Sequence, residues 1–123
     1  MKWNHFKEDE LKCRHCSECH MDEGFMFDLD SIREECGFPI ILRSAYRCNV
    51  YDAEIGGEGN HPTGKAVDAE FHNSHELYMI IVKCRQVGIT RFGIKFEGVN
   101  PTRGFIHFDK IFEQPKEVVW GYK

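Results

Sequence analysis

Two stretches of alternating polar and apolar side chains constrain this chain most. As a strand, Lys65-Ala66-Val67-Asp68-Ala69-Glu70-Phe71 turns Val67, Ala69 and Phe71 to one face and Asp68 and Glu70 to the other. In Phe105-Ile106-His107-Phe108-Asp109-Lys110-Ile111 the same period sends Ile106 and Phe108 inward and sets His107 and Asp109 on the opposite face. Between and before these strands lie segments with helical spacing. Phe27 to Cys36 places its apolar residues on one face with Gly37 as a stop, and a second helix opens at Asn73. There Glu76 completes a capping box, and the helix runs through Leu77, Ile80, Ile81 and Cys84 to Gly88. Pro39 to Tyr46 reads as a buried strand, Phe92 to Phe96 as another, and a turn is expected around Asn100-Pro101. The organisation is a mixed α and β one, with no repeat and no linker to mark a domain boundary. Residues 1–123 are therefore expected to form one domain, with residues 1–22 as a Cys/His-rich head packed on it.

The turn-rich segment from Cys48 to Gly64 carries Gly56, Gly57, Gly59, Pro62 and Gly64 and reads as a long ordered loop, the kind that is commonly functional. It ends in His61-Pro62-Thr63-Gly64, directly before the first alternating strand. When the loop folds back over the strand's open face, His61 and Asp68 meet. When the two alternating strands are neighbours, His107 joins them. Three ligands of His/Asp/His type leave a fourth tetrahedral position open for water, the arrangement of a catalytic rather than a structural zinc.

A net charge of −4 and a pI near 6.0 argue against a nucleic-acid partner, since phosphate binding calls for a basic surface. The opening residues have no apolar core of a signal peptide, and no stretch has the length of a membrane span. The expectation is a monomer made in the cytoplasm, with no membrane partner. In such a compartment the six cysteines are reduced thiols or metal ligands rather than disulfides.

The run Arg43-Ser44-Ala45-Tyr46-Arg47-Cys48, then Ile55-Gly56-Gly57, His61-x-x-Gly64-x-Ala66-x-Asp68, Gly104-Phe105-Ile106-His107-Phe108-Asp109 and Trp120-Gly121-Tyr122 resembles the zinc D-alanyl-D-alanine carboxypeptidase and L-alanyl-D-glutamate endopeptidase family. The likeness covers roughly residues 6–122 and is nearest to the small phage-type branch. It implies an α+β fold with a central antiparallel sheet flanked by helices, and one zinc on the open sheet face held by His61, Asp68 and His107. It also implies peptidoglycan stem peptides as substrate, and an endolysin-like role in cell-wall degradation. By the same resemblance Arg47 binds substrate, which suits a guanidinium that takes a carboxylate bidentately. Ser44 and Tyr46 flank it as pocket residues.

The chain departs from the family's pattern at two places. Gly59 stands where many relatives carry a serine. Gly104 and Phe105 stand where relatives place an acid or a histidine as general base. Asp109, on His107's face, is then the first candidate for the base and Glu70 the second; each is alternatively a partner that orients a ligand. A catalytically silent wall-binding module is the competing function. In the head, Cys13-x-x-Cys16 with Cys19 fits a second, structural zinc completed in space by Cys36, Cys48 or His20, or else a set of reduced thiols. Reading the head as a zinc-finger adaptor leaves the motifs from Arg43 to Trp120 unexplained.

Overall fold

Both alternating segments are strands, and they pair with each other. The computed structural model describes residues 3–99, 102–113 and 115–122, so the turn expected at Asn100-Pro101 lies outside the described residues. Along the chain run α1 (Glu8–Leu11), α2 (Glu23–Cys36), β1 (Leu42–Ser44), α3 (Asn49–Glu54), a 3-10 turn (His61–Thr63), β2 (Ala66–Phe71), α4 (Ser74–Gln86), β3 (Arg91–Glu97), β4 (Arg103–Asp109) and β5 (Val118–Gly121). The fold is α+β, with a five-stranded sheet in the order β1-β2-β4-β3-β5.

The four strands from β1 to β3 are antiparallel neighbours, but β5 runs parallel to β3. The sheet is thus mixed, which corrects the expectation of an antiparallel one. β4 runs against β3, and the chain turns back after β4, so β5 returns in the direction of β3 on its free edge. The strand expected over Pro39 to Tyr46 shrinks to three residues, because the pairing with β2 shifts register between Leu42 and Ser44.

Helix ends follow their side chains. Asp22 accepts from the Phe25 N–H (2.9 Å) and starts α2 earlier than the apolar spacing alone suggested; Gly37, at φ 74°, ends it. Asn73 caps α4 by accepting from the Glu76 N–H (2.9 Å), while Glu76 returns a bond to the N–H of His72 rather than to that of Asn73. The expected loop from Cys48 to Gly64 contains α3 and the 3-10 turn.

α2 and α4 cover one face of the sheet. Phe25, Met26, Leu29 and Ile32 from α2 and Ile80 and Cys84 from α4 meet Val67, Ala69, Phe71, Ile106 and Phe108 in one core. Full burial of a side chain such as Phe108 contributes about 1.5–3 kcal/mol. The head adds Phe6 and Leu11 to the same core and is built into the fold. Everything polar on β2 and β4 is therefore forced onto the opposite face. Among the described residues no helix is long and apolar enough to cross a membrane.

Candidate metal centre

The pairing register sets Asp68 directly across from His107. His61 arrives from the side, on the 3-10 turn that Gly64 closes at φ 75°. Gly64 is required there for a second reason: a Cβ at this position would stand 2.2 Å from the His20 carbonyl oxygen of the head. All three side chains are buried or nearly so, and one ligand atom from each lies within 4.8 Å of the others. His107 Nδ1 stands 2.9 Å and His61 Nε2 3.4 Å from the same oxygen, Asp68 Oδ1. Ligand atoms about 2.0–2.1 Å from a tetrahedral zinc stand about 3.3 Å apart, so the spacing of this trio fits the ion.

The atoms facing away from the centre are tied as well. His61 Nδ1 donates to the Ala45 carbonyl (2.7 Å), and His107 Nε2 to Asp109 Oδ2 (2.7 Å). Each imidazole is thus held with its other nitrogen facing Asp68, the one it would present unprotonated to a metal. Burial alone would push Asp68 up, but hydrogen bonds from His107 and His61 outweigh it and hold the carboxyl well below the usual carboxylate range. Burial would likewise lower His107, yet the bonds to Asp109 and Asp68 prevail and raise it.

Asp109 is fully buried, with Oδ2 on His107 and Oδ1 accepting from Arg91 Nε (2.6 Å). Arg91 in turn donates to the Pro115 carbonyl and lies over the Trp120 ring, 5.3 Å from its centroid. Both oxygens of Asp109 are thus engaged, and its carboxylate has no access to solvent. Glu70 is held by Arg43 Nε (3.2 Å) and does not line the cleft at the centre. The structure also explains why position 104 carries no acid: a Cβ there would stand 1.8 Å from the Lys95 carbonyl oxygen.

A cleft of about 800 Å³ opens over His61, Asp68 and His107. Arg47 lines it, donating through Nη2 to Asp68 Oδ2 (3.3 Å), through Nη1 to Asp52 Oδ1 (3.0 Å) and through Nε to Ser44 Oγ (2.9 Å). Ser44 and Tyr46 line the neighbouring hollow behind Arg47 instead. On the other wall Trp120 reaches His107, ring centroids 5.5 Å apart, by lying across Gly93, where a Cβ would stand 2.4 Å from the indole nitrogen. Phe105 and Tyr122 continue that wall.

Three contributors were not legible in the sequence. Arg91 falls just before the strand expected from Phe92 and is signalled there only as a cation. Asp52 holds Arg47 and accepts from the Gly59 N–H (2.9 Å), fixing the glycine loop; nothing in the sequence pairs it with either. Glu58, inside Gly57-Glu58-Gly59, is with Asp68 the acidic lining of the cleft among the described residues. Burial pushes the Tyr122 hydroxyl up, and the charges of Asp68 and Glu58 add to the effect.

The head cysteines form a second cluster. Cys13, Cys16 and Cys48 bring their sulfurs within 4.8 Å of one another. Cys19 is not among them; it packs against the apolar core, which corrects the expected Cys13/Cys16/Cys19 set. Burial pushes the Cys13 thiol up, but backbone N–H groups of Cys48, Cys16 and His15 outweigh it and lower the thiol to about 6.

A family model described as Peptidase M15 matches residues 4–109, and the chain belongs to that family of zinc-dependent peptidases. Membership makes it a zinc peptidase of the peptidoglycan-directed type. The match ends at Asp109, before β5 and its Trp120. No curated protein matches the chain.

Proposed function

We propose that this chain hydrolyses a peptide bond in peptidoglycan stem peptides, as a D,D-carboxypeptidase or an L-alanyl-D-glutamate-type endopeptidase, in the manner of a phage or prophage lysin. His61, Asp68 and His107 hold the zinc. The observation that carries the reading is the convergence of His61 Nε2 and His107 Nδ1 on one oxygen of Asp68, with both rings tied from behind. When bound, zinc supplies a Lewis acid that acidifies water and polarises a carbonyl.

The chain's own residues do the rest. Arg47 spends three of its five N–H donors on Asp68, Asp52 and Ser44 and presents the others to a substrate carboxylate. Its hold on Asp68 Oδ2 also turns Oδ1 towards the histidines. Phe105, Trp120 and Tyr122 give the substrate an apolar wall that excludes water from the reacting centre. Glu58 is the group we assign to accept a proton from the attacking water and return it to the leaving amine, since Asp109 is enclosed and position 104 has no room for an acid. Asp109 is a positioning residue: it keeps the proton on His107 Nε2, and Arg91 keeps Asp109 in place.

The test is turnover by Glu58→Gln on a synthetic stem peptide beside the native protein. The expected loss in kcat is about 10²–10⁴-fold at unchanged zinc content. An unchanged kcat would remove Glu58 from the mechanism, and wall binding without turnover by the native protein would favour the silent module.

A further inference from the structure

We propose that Cys13, Cys16 and Cys48, closed by His15, form a second zinc site, structural in kind, that clamps the head to the wall carrying Arg47. The three sulfurs come from two distant segments and still lie within 4.8 Å of one another. His15 Nδ1 stands 3.5 Å from Cys48 Sγ but not within 4.8 Å of all three sulfurs, so its ring would close the set by turning inward from this contact. A sulfur and a nitrogen on one tetrahedral zinc, at about 2.3 Å and about 2.0–2.1 Å, stand about 3.6 Å apart, so this pair is already at ligand spacing.

The backbone around the sulfurs is arranged for thiolates. The Cys48 N–H donates to Cys13 Sγ (3.3 Å), and the N–H groups of His15 and Cys16 point at the same sulfur. The Tyr51 N–H donates to Cys48 Sγ (3.5 Å). The turn from Cys13 to Glu18 is closed at both ends, Ser17 N–H to the Cys13 carbonyl (2.9 Å) and Cys13 N–H to the Glu18 carbonyl (2.7 Å), with Ser17 in the left-handed region at φ 64°. A non-glycine residue held there needs a reason, and a turn that aims two cysteines at one point supplies it. Three thiols and an imidazole, with no carboxylate among them, favour zinc over harder cations. The set fills all four positions, so this ion would have none open for chemistry.

What the clamp holds is specific. Cys48 follows Arg47 and caps α3, whose Asp52 fixes both Arg47 and the glycine loop. The site therefore braces the substrate-binding wall from behind, whether or not the sheet-face site performs the proposed hydrolysis.

The experiment is metal analysis and cobalt spectroscopy on the full chain purified under reducing conditions. The native protein is expected to carry one more zinc per chain than either Cys16→Ser or His107→Ala. Cobalt-loaded His107→Ala is expected to keep intense near-ultraviolet thiolate absorption and Cys16→Ser to lose it. His15→Ala should retain that absorption with cobalt affinity lowered about 10–100-fold; unchanged affinity would remove His15 from the set. Differential alkylation of the native protein needs no variant: Cys13, Cys16 and Cys48 should be protected until a chelator is added, while Cys19 and Cys36 react throughout. Alkylation of Cys13, Cys16 and Cys48 without a chelator, absence of thiolate absorption, or an intact mass lowered by a disulfide would each overturn the proposal.

Discussion

The two clusters of ligand-type side chains, one on the sheet and one in the head, are assembled by different means. Asp68 and His107 face each other because β2 and β4 pair in one register; a slip of either strand by one residue would turn its own ligand into the core. Their positions are fixed by the burial of Val67, Ala69, Ile106 and Phe108 on the other face. The thiol cluster has no such period behind it: a tight turn supplies Cys13 and Cys16, and a chain segment from beyond β1 supplies Cys48. A site made by register is stiff before metal arrives, whereas a site made by crossing loops depends on its ion for part of its order.

That contrast yields predictions of decreasing size. Asp109→Asn should weaken zinc at the sheet face by about 10–100-fold in a chelator competition, because His107 loses the acceptor that fixes its tautomer. The thiolate absorption of the cobalt form should not change; equal damage at both sites would mean that the variant had unfolded the chain and that the two are not independent. Next, Gly93→Ala should cost about 1–3 kcal/mol in a denaturant titration, by driving a methyl group into Trp120. It should also raise KM, since the displaced indole walls the cleft. An unaltered KM would place Trp120 outside the substrate path.

The smallest effect is on pH. In the metal-free chain His107 is raised by Asp109 and Asp68, so its contribution to stability is full below its unfolded value near 6.5 and is lost as pH rises through the folded value. Asp68, held low, contributes above its unfolded value and loses that only as pH falls through its folded one, so it is constant near neutrality. Zinc binding has the opposite sign, because it requires neutral His107, and its affinity at this site should fall roughly tenfold per pH unit below the raised value. Thermal melts at about pH 6 and about pH 8 should therefore shift in opposite directions for the metal-free and zinc-loaded protein. Parallel shifts would break the account of His107.

What the sequence made legible follows the same division. The α+β class, both long helices, the strands β2 and β4 and the meeting of His61, Asp68 and His107 were readable because side-chain period, caps and pairing are local rules. The parallel β5 and Asp52 behind Arg47 were not, and Cys48 stood only as one of three candidates beside Cys19, since each depends on where the chain returns after a loop. Asp109 was found by its period, but its enclosure was not, because alternation gives the face of a strand but not what stands above it. Arg91, which closes Asp109 off, comes from β3, where it pairs with Asp109 across the β3–β4 ladder.

The most direct test of the central claim is mass spectrometry of purified peptidoglycan digested with the zinc-loaded native protein beside His107→Ala. The account predicts new stem-peptide fragments from the native protein alone, with a loss of about a thousand-fold or more in the variant, equivalent to about 4 kcal/mol at the transition state. Fragments from both at similar rates, or from neither at full zinc occupancy, would contradict it.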